Sequence, residues 1–194
     1  MTHHRETTPS PRLRHWASRL ALLVACASVV ATSRATSADM FSEPYTGKPV
    51  HLTTEAPKVT IPLVLLATAS ESPDKQAEAE LTVLVTARWT PAEASQTASP
   101  VFRAVLHESG SKFSGWERST PLEVTDSVTM EVRMFFERDC KMGQRCEWTT
   151  NLDLELQPNG AVGTVEVVWT ATGSAHVVDT SSTPGNFKVI VSEP

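Results

Sequence analysis

The sequence predicts an all-β fold: one antiparallel β-sandwich, immunoglobulin-like or jelly-roll-like, of about seven to nine strands, with a β-barrel as the alternative. Three observations predict it. From Lys58 onward apolar residues recur with a period of two, the spacing that sends alternate side chains to opposite faces of a strand. The segments between these runs are rich in Pro, Gly, Ser, Thr and Asn, the residues that turns require. No segment carries an apolar stripe at helical spacing through three turns.

Residues 39–57 contain Pro44, Pro49 and Pro57 and read as an irregular N-terminal arm; the sandwich domain spans 58–194. Val59, Ile61, Leu63 and Leu65 give the first strand one apolar face, and Val64 and Leu66 make its other face apolar too, which predicts burial on both sides. Leu81, Val83, Val85, Ala87 and Trp89 alternate with Thr82, Leu84, Thr86 and Arg88, and a third strand runs from Val101 to His107. Between them Thr90-Pro91-Ala92-Glu93 matches a capping box with Pro at the first helical position, which predicts one or two helical turns before Pro100.

The clearest alternation lies in the second half. Val128, Met130, Val132, Met134 and Phe136 share one face; Trp148, Thr150, Leu152, Leu154 and Leu156 share the next; Val165, Val167, Trp169 and Ala171 follow. Gln157-Pro158-Asn159-Gly160 supplies turn chemistry, because Pro fixes φ and Asn-Gly accepts positive φ at low steric cost. Two antiparallel hairpins, forming a meander, are the simplest pairing of these three strands. Phe187, Val189 and Val191 end the chain as a last strand.

The 194 residues carry 17 Lys+Arg and 22 Asp+Glu, a formal net charge of −5. Residues 1–38 hold five of those bases and only Glu6 among the acids, leaving 12 bases against 21 acids, a net of −9. Capture of a phosphate backbone depends on basic surface and counterion release. Nucleic acid is therefore not an expected partner.

Residues 1–38 read as a signal peptide. Arg5, Arg12, Arg14 and Arg19 precede the apolar run from Leu20 to Ala31, the order of an export signal. As a helix that run would reach about 18 Å, short of the roughly 30 Å of hydrocarbon that a spanning segment crosses. Small residues place the peptidase cut after Ala38, with Ala35 as the second choice. Leu23-Val24-Ala25-Cys26 also resembles a bacterial lipobox. Lipidation of Cys26 would tether the protein to a membrane surface, the one membrane association the sequence offers. Secretion, or retention in a periplasm or cell envelope, is the expected localisation.

Loss of the leader leaves two cysteines, Cys140 and Cys146, with five residues between them. An even number in an exported protein predicts a disulfide, here a local clip on a hairpin. A redox pair would favour two intervening residues, and two thiolates without neighbouring His leave zinc short of ligands.

The chain shows little machinery for catalysis. His51, His107 and His176 are separated in sequence, and neither a Gly-x-Ser-x-Gly elbow nor a phosphate loop is present. Asn151, Asp153 and Glu155 share one strand face, and Glu166 on the next strand would extend them into an acidic strip. Calcium usually takes six to eight oxygens, many from curved loops, and a solvated sheet face accounts for the same residues. No cofactor or metal is assigned.

Two places suit ligand contact. Trp116 and Phe113 lie in a Gly- and Ser-rich stretch, where the two rings either cap the end of the core, the preferred reading, or stand exposed on a loop, and Arg138, Lys141 and Arg145 decorate the tip clipped by the cysteines; preordering such a tip lowers the entropy lost on binding. The functional expectation is an exported, non-catalytic binding or structural module of the cell envelope or extracellular space, taking a protein or carbohydrate ligand. One rival is a lipid-anchored carbohydrate-binding module. The other is an envelope hydrolase, which requires two or more of His51, His107, His176, Asp153 and Glu155 to converge in one cleft.

Overall fold

The computed structural model describes Arg19 and residues 36–108, 115–124, 126–136 and 140–194. The signal peptide, the lipobox cysteine Cys26, Phe113 and Arg138 lie outside the described residues. Twelve strands follow in chain order: β1 (Met40–Phe41), β2 (Tyr45–Thr46), β3 (Val50–Thr53), β4 (Lys58–Thr68), β5 (Lys75–Pro91), β6 (Val101–Glu108), β7 (Arg118–Pro121), β8 (Ser127–Phe135), β9 (Cys140–Met142), β10 (Arg145–Gln157), β11 (Gly163–Val177) and β12 (Lys188–Ser192). Seven of them have five residues or more, and the short strands bring the total above the expected seven to nine. They form two antiparallel sheets, as the alternation predicted. One has seven strands in the order β1-β11-β5-β8, with β2 and β3 also paired to β11 and β9 paired to β5; the other has five, in the order β12-β4-β10-β6-β7.

The inward residues are those that the period of two selects. Val83, Val85 and Trp89 of β5 and Val165, Val167 and Trp169 of β11 share one buried cluster with Leu63 and Leu65 of β4, Phe102 and Leu106 of β6, and Leu152 and Leu154 of β10. Fully burying such a side chain stabilises by about 1.5–3 kcal/mol. Trp89, Trp148 and Trp169 are all buried, as their register required. On the outer side of β4, Val64 and Leu66 are only half-buried, because no layer of the described residues packs on this face of the five-stranded sheet.

The second-half strands do not form a meander. β8 pairs with β5, β10 pairs with β4 and β6, and β11 pairs with β5, so each connection crosses from one sheet to the other. Asn159 and Gly160 do take positive φ, 50° and 82°, as the turn predicted. The turn makes an arch between sheets, and alternation alone cannot distinguish an arch from a hairpin.

The disulfide is present, with Cα atoms of Cys140 and Cys146 5.9 Å apart, which belongs to an oxidising environment. Cys140 lies on β9 of the seven-stranded sheet and Cys146 on β10 of the five-stranded sheet. The bond is thus a staple between sheets, not a clip within one hairpin.

Two further expectations are corrected. The arm at 39–57 is not irregular: β1, β2 and β3 pair along β11 and cover what would otherwise be a long open edge. Pro44 and Pro49 separate these short strands, since Pro cannot donate to a ladder. The capping-box segment forms no helix. Thr90 and Pro91 finish β5, Ala92 N donates to Val162 O at 2.8 Å, and Gln96 N donates to Glu93 O at 3.1 Å. β5 continues in ladder pairing with β11 through Pro91, opposite Gly163, and this extended pairing holds Thr90 and Pro91 out of a helical first turn.

Candidate functional site

The outward residues of β5, β8 and β11, with the arm laid beside β11, build a surface that combines aromatic, acidic, hydroxyl, imidazole and guanidinium groups. Register places Phe41, Ser174, Glu80 and Phe135 in one row across β1, β11, β5 and β8. Three interstrand steps separate the two phenylalanines by about 14 Å at the backbone. Both rings project from the sheet, Phe41 68% and Phe135 61% exposed. Thr172, Thr82 and Arg133 form the next row on one side, and His176 and Glu78 the next row on the other.

Two adjoining depressions lie on this face. One, of about 280 Å³, is lined by Phe41, Glu80, Thr82, Arg133, Thr172 and Ser174. The other, of about 220 Å³, is lined by Asp39, Glu78, Glu80, Phe135, Ser174 and His176. They share Glu80 and Ser174, so an aromatic ring stands at each end of a continuous polar floor.

His176 meets a carboxylate at each ring nitrogen: Nδ1 is 2.8 Å from Asp39 Oδ1 and Nε2 is 3.3 Å from Glu78 Oε2. Arg133 donates from Nε to Glu131, and that hydrogen bond, with the Glu131 charge, holds the guanidinium proton more firmly than usual. Arg133 Nη1 stands 4.0 Å from Glu80 Oε1, outside hydrogen-bond reach. Glu80 Oε1 is itself buried and has no hydrogen-bond partner among the described residues. Asp39 and Glu78 beside His176, and Glu80 and Glu131 beside Arg133, outnumber the one guanidinium, so the floor is acidic.

The residues singled out in sequence lie elsewhere or at the border of this face. Trp116 is 58% exposed, so it does not cap the core. Its backbone is firmly held: Gly115 N donates to Leu106 O at 2.6 Å on β6, and Trp116 N donates to Arg133 O at 3.0 Å on β8. Arg103 then grips Glu117 through two bonds of 2.7 and 2.8 Å and holds that carboxyl below its usual range. Trp116 is therefore an exposed ring on a fixed backbone, at the edge of the strand that carries Arg133 and Phe135; the Arg118 guanidinium lies 5.9 Å from its ring centre. Lys141 pairs with Asp74 at 2.9 Å, and Arg145 pairs with Glu147 on its own strand. Neither is brought to the aromatic row.

The dispersed His and acidic residues fall into three places. His51 is the register partner of Glu166 on β11. His176 belongs to the outer face just described. His107 and Asp153 do come together, Nδ1 to Oδ2 3.7 Å, on the outer face of the five-stranded sheet. Asp153 is already held there by Thr60 at 2.5 Å and Lys58 at 2.9 Å, and His107 Nε2 faces the Asn151 amide at 3.3 Å. These partners make an ion-pair network and present no nucleophile to the imidazole. Glu155 joins Arg103 at 2.9 Å. Glu166 cannot extend the strip Asn151-Asp153-Glu155, because β11 lies in the other sheet, and no group of three or more metal-ligating side chains occurs among the described residues.

Burial works to raise the Asp153 pKa, but the hydrogen bonds from Thr60 and Lys58 and the nearby charges outweigh it and hold the carboxyl below its ordinary value. A depressed carboxylate contributes stability that is complete above its unfolded pKa and is lost as pH falls through the folded one. Unfolding free energy should therefore fall with acidification below about pH 4. Asp153→Asn should flatten that part of the profile; an unchanged acid limb in the variant, measured by denaturant titration across pH, would refute this contribution.

No protein-family model matches the chain, and no curated protein matches it. The assignment of function rests on the surface geometry itself.

Proposed function

We propose that this protein is an extracytoplasmic, non-catalytic binding module that presents the outer face of its seven-stranded sheet to a ligand. One observation carries the reading: the two most exposed large apolar side chains among the described residues, Phe41 and Phe135, stand at opposite ends of two adjoining depressions with a shared polar floor. Exposed aromatics rimmed by polar groups favour a contact surface over a solvated one. Trp116, fixed at the β8 edge, supplies a third ring near the same border. Probing arrays of glycans and peptides with the native protein and with Phe41→Ala/Phe135→Ala tests the reading. Signals present with the native protein and lost in the variant are expected. Signals indifferent to both rings would reject this face.

Export through the residue 1–38 leader is part of the same proposal. Thr36 bridges Val178, Ser37 N donates to Val177 O at 2.9 Å, and Val177 N donates to Ser37 Oγ at 2.9 Å. Ser37 is buried. A cut after Ala38 would discard these contacts, whereas a cut after Ala35 keeps them, and this favours Ala35. Intact mass of the protein from its native host should then correspond to Thr36–Pro194, two hydrogens lighter than the reduced chain. A mass starting at Asp39, or an acylated chain starting at Cys26, would refute the Ala35 site; the second would establish the lipid anchor.

A further inference from the structure

Resting on the outer-face binding reading, we propose that the ligand is a short glycan bearing free amino groups, of the deacetylated hexosamine class. The distance between the rings, the composition of the floor and its charge each narrow the choice. Phe41 and Phe135 are about 14 Å apart at the backbone, three strand spacings, a span that about three linked pyranose rings cover. Aromatic rings take the apolar C–H faces of such sugars, and an ammonium near a phenylalanine adds a cation–π attraction.

The floor offers acceptors in excess of donors. Glu80 lines both depressions, where it adds a carboxylate to the floor. Glu78 and Asp39 are both half-exposed and share one imidazole. The guanidinium of Arg133 is already engaged by Glu131. Hydroxyl and ammonium groups are donors that satisfy these oxygens, and a positive ligand offsets the acidic balance. A uronic acid or a phosphorylated glycan meets like charge here. A basic peptide would meet the charge as well, but the backbone bonds of β5 and β11 are paired on both sides. A peptide lying on the floor between the rings therefore has no ladder to extend, and strand addition is left only to the outer edges of β1 and β8, away from the acidic floor.

Calorimetric titration of the folded protein with a β-linked glucosamine tetramer, its fully N-acetylated counterpart, a tetrameric uronate and a tetralysine peptide tests the proposal. The glucosamine tetramer should bind, and acetylation should weaken it at least about tenfold, the scale of one lost charge-assisted bond. The uronate should not bind. Phe41→Ala, Phe135→Ala and Glu80→Gln should each weaken the glucosamine tetramer by about tenfold or more, with melting temperatures unchanged in the two phenylalanine variants because both rings are exposed. Equal binding of the acetylated glycan, or binding of tetralysine alone, would overturn the amino-glycan class; if either is lost in the phenylalanine variants, the outer-face reading survives. Absence of binding by all four probes overturns the class. Binding of the glucosamine tetramer indifferent to Phe41 and Phe135 overturns the face and the class together.

Discussion

Trp169→Ala is expected to destabilise the protein by about 3–5 kcal/mol, the range for deleting a buried large aromatic side chain. Trp169 is 2% exposed and lies on the inward side of β11. Its ring meets Tyr45, centroids 5.9 Å apart, and lies directly on the backbone of Gly47, where an added Cβ would come within 1.9 Å of the indole. Only a residue without Cβ lets the arm approach so closely. The indole Nε1 has no hydrogen-bond partner among the described residues, so its removal orphans no partner there. The cost is lost transfer energy plus a cavity. Trp169→Phe should cost a small part of that, since most of the ring area remains. Because Trp169 also receives the arm, Trp169→Ala should loosen β1 and β2 and weaken any ligand that touches Phe41. Chemical denaturation gives the stability loss; equal losses for the two substitutions would contradict the cavity explanation.

The second large effect is loss of the staple between the sheets. Cys140→Ser/Cys146→Ser should cost about 2 kcal/mol on the chain-entropy formula for so short a loop, which lowers the melting temperature by about 4–8 °C for a domain of this size. Location discriminates better than magnitude. If the bond closed one hairpin, reduction would free only its tip. Here β9 pairs with Lys75–Ala77 and β10 pairs with Ala67 and Thr68. Reduction should therefore speed amide exchange at the ends of β5 and β4 together, in different sheets. Faster exchange confined to residues 140–146 would contradict the staple.

The strands themselves were legible because a period of two over five or more residues leaves few alternatives. Pairing was not. Trp148, Thr150 and Leu152 alternate identically whether β10 joins β8 or β4, so the arches were invisible and the meander was the economical but incorrect choice. The arm was illegible for a different reason. β1 and β2 have two residues each, too few for a period, and Pro44 and Pro49 mark edges as readily as loops. The site shared that fate. Trp116 stood out by its neighbours, and its exposure agrees with the loop it occupies. Phe41 and Phe135 carried no signal alone, since one sits beside the apolar Met40 and the other beside Phe136, which is buried. Only the register of four strands puts them in one row. A clue was present in β8, where Phe135 breaks the polar face shared by Thr129, Glu131 and Arg133.

Docking of the arm decides whether that row exists, since Phe41 and Asp39 come from it and every other floor residue comes from β5, β8 and β11. Ser42 N donates to Gly173 O at 2.8 Å and Gly173 N donates to Ser42 Oγ at 3.0 Å. Native-state hydrogen exchange at the Ser42 amide, with Ser37 and the amides of β3 alongside, reads the docking directly. Protection close to that of β11 is the expected result. Exchange as fast as in the exposed turn at Ser181–Thr183 would show the arm to be undocked and would remove one wall of the proposed site.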